Sequence, residues 1–275
     1  MRYGWLLLTL AACGAADAPP PSEGPRVVAL VPAATAIIDA LGRSDALVGR
    51  AEEDSAHHVA HLPSAGRVLA PSTERVVELM PDVVIAWPGA DALLEHMQRL
   101  GARTLAVRVE RVADIASTTR EIGRLLGVAR QGDSLAQQIT FDLERIRRTH
   151  ASKKAPSVLY LLDTEPLWTA GPNTFVDDLI QIAGGTNIFA DLPAQWSEVS
   201  LEAVVARQPD VIIVAQPRGR ANTPVWLEDG SWRHLRAVQN QRVHVVHGDD
   251  FNRPGPNVVE TADRLARILH PEKSQ

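Results

Sequence analysis

STERVVELMPDVVIA occupies residues 72–86, and SLEAVVARQPDVIIV occupies residues 200–214. The two stretches echo each other at one constant offset. Ser72 answers to Ser200, Glu74 to Glu202, Val76-Val77 to Val204-Val205, and Pro81-Asp82-Val83 to Pro209-Asp210-Val211. Both copies have the same physical reading. A serine caps a short helix, a glutamate lies in its positive first turn, and Pro-Asp turns into an apolar strand of the kind buried in a parallel sheet. Two copies of this unit imply two similar lobes.

Outward from the echo, strands alternate with helices. A β-branched run over 26–31 ends at Pro32, and a helix carrying Ile37, Ile38 and Leu41 closes at Gly42. The strand after Pro81 stops at Pro88-Gly89. Helix 91–100, strand 103–107 and a helix over 112–126, stopped by Gly127, complete the first set. The longest helical pattern covers 132–150, with Leu135, Ile139, Leu143 and Ile146 on one stripe and Asp133 or Ser134 as its cap. The rhythm then restarts. Strand 158–162, a helix capped by Thr174, strands 211–215 and 243–246, and a helix over 257–269 follow. Such alternation predicts an α/β chain with mainly parallel sheets covered on both faces.

The chain has 275 residues, 45% of them hydrophobic and 22% charged, a globular composition that excludes a disordered polymer. Its net charge of −5 argues against a nucleic-acid partner. A single cysteine excludes an intramolecular disulfide and a multi-cysteine zinc site. No apolar run reaches the roughly 20 residues of a membrane-spanning helix. Aromatic residues are scarce at 4%, yet six of them are tryptophan, so the placement of those indoles matters.

The N-terminus reads as an address. Arg2, the apolar stretch from Trp5 and the small residues Ala11-Ala12 form a secretory signal over 1–12. The one cysteine, Cys13, follows directly, and LAAC is similar to the lipobox of bacterial lipoproteins, which implies lipidation at Cys13. Segment 13–25, rich in Ala, Pro, Ser and Gly, reads as a tether.

Several segments together resemble the substrate-binding proteins of ABC importers, in the class whose two lobes share a single backbone helix. They are RVVALVP (26–32), STERVVELMPDVVIAWPG (72–89), TEPLWTAG (164–171), GGTNIFADL (184–192), SLEAVVARQPDVII (200–213) and RPGPNVVE (253–260). That class, the helical-backbone metal receptors, serves cobalamin, haem and iron–siderophore uptake, and the chain most resembles its cobalamin-binding members. The resemblance implies two Rossmann-like lobes, 26–130 and 153–275, joined by a backbone helix over 131–152. It implies a binding protein with no catalytic residues, a monomer whose cargo is a cobalt corrinoid. Haem or a ferric siderophore is the alternative cargo. It also implies an ABC permease dimer with its ATPase as partner, and a place in the periplasm or on the outer face of the cell membrane. In this class one glutamate per lobe docks onto permease arginines, and Glu74 and Glu202 hold those positions.

The candidate ligand residues are Trp87, Trp168, Trp196, Phe251 and Arg253. The three indoles fall at strand ends or in loops beside Pro or Gly, and ligands of α/β sheets bind beyond the carboxyl ends of strands. Tryptophan offers a macrocycle a broad apolar face at low conformational cost. Lobe-edge packing is the structural alternative. Trp226 and Trp232 stay undecided. Phe251 and Arg253 can line a cleft that holds amide or carboxylate groups; alternatively Arg253 pairs with Asp249 or Asp250 in a surface loop. The polar run Glu52-Glu53-Asp54 with His57, His58 and His61 departs from the family pattern. His57 and His61 on one helix face could hold a metal or supply an axial ligand, and otherwise the run is a solvated helix. An exported metal-dependent hydrolase using the histidines with Asp249 and Asp250 is a remote reading. The chain lacks a G-x-S-x-G elbow, an H-E-x-x-H motif and a P-loop.

Overall fold

The computed structural model describes residues 24–151, 155–216 and 230–271. The signal segment, Cys13, most of the tether and Trp226 lie outside the described residues. The chain opens with β1 (Val27–Ala29), α1 (Pro32–Ala40), β2 (Leu47–Arg50), β3 (Gly66–Arg67), β4 (Ala70–Pro71), α2 (Thr73–Glu78), β5 (Val83–Ala86), α3 (Asp91–Arg99), β6 (Arg103–Ala106) and α4 (Val112–Leu125). Their main sheet is wholly parallel, in the order β2-β1-β5-β6. The long helix α5 (Ala129–His150) follows. Then come β7 (Ser157–Thr164), β8 (Leu167–Ala170), α6 (Phe175–Ile182), β9 (Thr186–Asn187), β10 (Trp196–Glu198), α7 (Leu201–Arg207), β11 (Val211–Gln216), α8 (Arg236–Gln239), β12 (Val243–His247), α9 (Gly248–Asn252) and α10 (Val258–Leu269). The second sheet runs β10-β8-β7-β11-β12, with β9 beside β7. β7, β11 and β12 are parallel, whereas β8 and β10 add antiparallel strands. The architecture is the expected α/β pair of lobes with one long helix.

Alternate residues of each central strand enter different cores. Val83 and Ile85 join the core shared by both lobes, while Val84 and Ala86 face a separate cluster under α3. Val211 and Ile213 likewise join the shared core, and Ile212 and Val214 face a third cluster. Burial on both faces explains why these strands are apolar throughout. The Pro-Asp element has a defined task in each copy. Asp82 Oδ2 accepts from Arg26 N at 2.8 Å and Asp82 N donates to Arg26 O at 2.9 Å, which registers β5 against β1. Asp210 Oδ2 accepts from Ser157 N at 2.9 Å and Asp210 N donates to Ser157 O at 2.9 Å, which does the same for β11 against β7. Met80 and Gln208, each just before its proline, share a left-handed φ of 44°.

The long helix begins at Ala129, earlier than the expected 132, so Asp133 and Ser134 lie inside it and neither caps it. The reason is a tight helical hairpin. Gly127, at φ 75°, reverses the chain directly after α4. Gly132 then marks a close approach: a Cβ there would lie 3.1 Å from the Cα of Gly123 in α4. Ile139, Leu143 and Ile146 are buried and Leu135 partly so, each fully buried side chain contributing about 1.5–3 kcal/mol. They belong to one apolar cluster that runs from Val27 in the first sheet to Leu269 in α10. The lobes thus share a continuous core through α4, α5 and α6.

Candidate functional site

A cavity of about 520 Å³ opens where the strand ends of both lobes converge. On one side, Val31 and Pro32 follow β1, Trp87 follows β5, and Val109 lies just beyond β6. On the other side stand Leu162 of β7, Phe175 and Val176 at the start of α6, and Trp196 at the start of β10. The parallel strands of the first lobe therefore point their carboxyl ends at the cavity, as open α/β sheets do. Most of this wall is apolar.

Trp87 packs against the shared core, and the Arg108 guanidinium lies 5.3 Å from the centroid of its ring. Trp196 is 37% exposed and Trp168 36% exposed. Neither is in a loop. Trp196 pairs with Ala170 and Glu198 with Trp168 in the β10–β8 ribbon. Both indoles consequently stand on the same face of that ribbon. Trp196 lines the cavity, and Trp168 lies outside its lining. Phe251 contributes to the wall but is only 1% exposed, held from behind by Tyr160 at 6.2 Å and by the Arg264 guanidinium at 5.6 Å. Trp232 is buried in the core of the second lobe.

Arg253 lines the cavity and reaches across to the first lobe. Its Nη2 donates to Glu53 O at 2.8 Å, and its Nη1 lies 3.7 Å from Asp54 Oδ1. Asp54 is buried and also accepts from Thr35 Oγ1 and from Ala56 N. Asp250, considered as a partner for Arg253, instead binds Arg264 Nη2 at 2.7 Å; the Asp249 side chain lies outside the described residues. A second cross-lobe clasp joins Arg111 Nε to Asp178 Oδ2 at 2.8 Å, with Val112 N donating to the same oxygen at 2.9 Å. Hydrogen bonding to Asp178, against some burial, holds the Arg111 guanidinium pKa above its ordinary value.

The histidines do not form the expected helix face. Residues 57–61 run as successive turns, closed by Val59 N to Ala56 O and Leu62 N to Val59 O. Asp54 starts this arrangement by accepting from Ala56 N, and the turns do not propagate as a helix. His57 and His58 line a separate cavity behind Arg253, and His61 does not. Among the described residues no group of three His, Cys, Asp or Glu side chains is placed to hold a metal ion.

Glu74 and Glu202 are exposed in the first turns of α2 and α7. Ser72 Oγ accepts from Arg75 N at 3.4 Å and Ser200 Oγ from Ala203 N at 3.2 Å. The Glu202 carboxyl sits below the usual carboxylate range because a backbone N–H and the Ser200 hydroxyl bond to its charged form. Sequence reasoning missed Val109, Leu162, Phe175 and Glu110 as cavity residues. Position relative to a strand end or helix start was the available signal for them.

The family described as periplasmic binding protein matches residues 27–249. Among curated relatives, the vitamin B12-binding protein of Vibrio cholerae serotype O1 is 27% identical over 253 residues, covering 90% of each chain. An ABC transporter substrate-binding lipoprotein of Bacillus subtilis, itself uncharacterized, is 28% identical over 91% of this chain and 81% of its own. Among solved structures, the periplasmic vitamin B12 binding protein of Vibrio cholerae superposes with a TM-score of 0.78 at 26% identity, covering 92% of this chain and 99% of that one. A periplasmic heme-binding protein of Roseiflexus sp. RS-1 in apo form gives 0.78 at 25% identity, covering 90% and 99%.

Proposed function

The chain belongs to the periplasmic binding protein family, and from that premise we propose that it captures a corrinoid, cobalamin or a close relative, and hands it to an ABC permease dimer with its ATPase. Such a protein binds and releases its cargo without chemical change. The hydrolase reading is set aside, since the family is one of solute-binding proteins. The single observation that carries the reading is the apolar cleft with Trp87 on one lobe and Trp196 on the other. Two broad indole faces suit a flat macrocycle. Trp168 extends that wall beyond the cavity, Phe251 backs it, and Arg253 sets its polar edge. Glu74 and Glu202 supply one anionic knob per lobe for the permease, and a lipid at Cys13 holds the monomer to the membrane outside the cytoplasm.

Haem is the second reading, supported by the heme-binding structure of similar fold. The donor set of the cleft favours the corrinoid. Haem iron in proteins is commonly held by His, Cys, Met or Tyr, and none of these is among the described residues that line the cavity. A cobalamin brings its own nitrogen base to cobalt and needs no such side chain. Tryptophan fluorescence or calorimetric titration against cyanocobalamin, cobinamide, haemin and ferric siderophores tests the proposal. Cyanocobalamin is expected to bind more tightly than haemin. Trp87→Ala and Trp196→Ala should each lower affinity about tenfold to a hundredfold. Parent-like binding by both variants would place the cleft elsewhere.

A further inference from the structure

The Glu52-Glu53-Asp54 run, which belongs to no part of the ligand wall proper, sits at a junction of three segments. Glu53 Oε2 accepts from Val68 N at 3.0 Å, and Glu53 Oε1 accepts from Arg67 Nε at 3.1 Å. Its main-chain oxygen accepts from Arg253 of the other lobe at 2.8 Å. Next to it, buried Asp54 faces the same guanidinium. Val68 and Leu69 form the tip between β3 and β4, strands of only two residues each. Val68 lines the cleft, and Leu69 beside it is 81% exposed.

A hairpin this short is marginal without outside support. Its base is secured by the main chain: Glu52 N donates to Gly66 O at 2.8 Å, and Ser72 N donates to Ala65 O at 2.9 Å. Gly66, at φ 105°, gives the base its pivot, and a Cβ there would lie 2.5 Å from Ser72 N. At the tip, the carboxylate of Glu53 is the anchor for the Val68 amide. The Arg67–Glu53 ion pair is solvent-exposed and contributes little by itself. A charge-assisted bond from a main-chain N–H fixes direction as well as distance.

We propose that Glu53 is a positioning residue for the cleft: its carboxylate fixes the Val68–Leu69 tip beside the cleft wall, and its carbonyl couples that tip to the second lobe through Arg253. With Arg253 bonded to the Glu53 carbonyl and facing buried Asp54, the 53–54 turn is held and Val68 stays against the cargo. Loss of either contact would loosen the turn locally, without any change in the angle between the lobes. This rests on the cleft being the binding site.

The test uses the chain with Cys13→Ser and a nitroxide on Leu69→Cys, read by electron paramagnetic resonance without ligand, together with stopped-flow dissociation of cyanocobalamin. Glu53→Ala should mobilise the label and speed cyanocobalamin release about tenfold, as expected for loss of one charge-assisted hydrogen bond. Glu53→Gln keeps an acceptor oxygen for the Val68 amide and should restore most of the parent behaviour. Arg253→Ala, on the other lobe, should mobilise the same label. An unchanged label spectrum in Glu53→Ala or Arg253→Ala overturns the coupling. A mobilised label with parent-like cyanocobalamin release overturns the positioning role. If the parent itself fails to bind cyanocobalamin, the proposed cargo is wrong, and the ligand-free label spectra still decide the coupling.

Discussion

Gly132→Ala isolates the contact on which the two-lobe frame rests. In an exposed helix interior this change would stabilise by about 1 kcal/mol, because alanine is the better helix former. Here the added Cβ would lie 3.0 Å from the Thr119 carbonyl oxygen and 3.1 Å from the Gly123 Cα. Both are backbone atoms of α4, so neither can swing aside as a side-chain end would. The helices must separate by a few tenths of an ångström along a shared core. Overpacking of this kind costs about 1–3 kcal/mol, which outweighs the propensity gain and leaves a net loss of roughly 1 kcal/mol. For a chain of this size that lowers Tm by about 2–4 °C. Gly123→Ala meets the reciprocal contact at 2.9 Å from the Gly132 Cα. The double variant sets two methyl groups against each other and should lose more than the sum of the singles. Thermal unfolding followed by circular dichroism measures all three. A Tm raised by Gly132→Ala, or strict additivity in the double variant, would refute a backbone-to-backbone helix pair.

Charge reversal at both Glu74 and Glu202 to Arg should abolish transport in cells while ligand affinity stays at the parent value, and each single change should do less; transport at the parent rate by the double variant would reduce both residues to helix caps. The continuous core through α5 predicts small lobe motion, so X-ray scattering profiles with and without cyanocobalamin should nearly superimpose; a large fall in radius of gyration on binding would count against it. Burial works to raise the Glu53 pKa, but its hydrogen bonds to main-chain N–H groups and Arg67 outweigh this and leave it lowered. A depressed carboxyl contributes stability that is present above the ordinary Glu value of about 4.3 and is lost as pH falls through the lower folded value. Mobility of the label at position 69 should therefore stay constant from neutral pH down to that ordinary value and rise only below it. A rise centred near pH 6 would assign the tip to a histidine.

Much of the fold was legible because its signals are local. The apolar runs at 27–31, 83–86 and 211–215 mark strands buried on both faces, and the 72/200 echo marks two lobes whatever their packing. The helix stripe Ile139, Leu143 and Ile146 announces a helix with one buried face. Its start was not legible, because Gly132 reads as a poor helix residue until Gly123 is known to press against it. The tryptophans at 168 and 196 were recognisable as aromatic faces. Their strands were not, since β8 and β10 exist by pairing with each other and with β7.

The sequence alone determined the order of the main helices and of the central buried strands, the duplicated Ser-x-Glu and Pro-Asp units, and the tryptophans as candidate aromatic faces, for these depend on periodicity and on neighbours within a few residues. Tertiary structure alone decided where the long-range partners meet. Arg253 and Glu53 are 200 residues apart, and nothing in either segment names the other. Phe251 is a candidate for the cleft in sequence, but only the fold shows it buried in the wall, because Tyr160 and Arg264 arrive behind it from distant elements. The physical reason is the same in each case. Hydrogen bonds along a helix and burial along a strand follow the chain's own repeat, whereas a cleft is made by surfaces that come together only after both lobes have closed around one core.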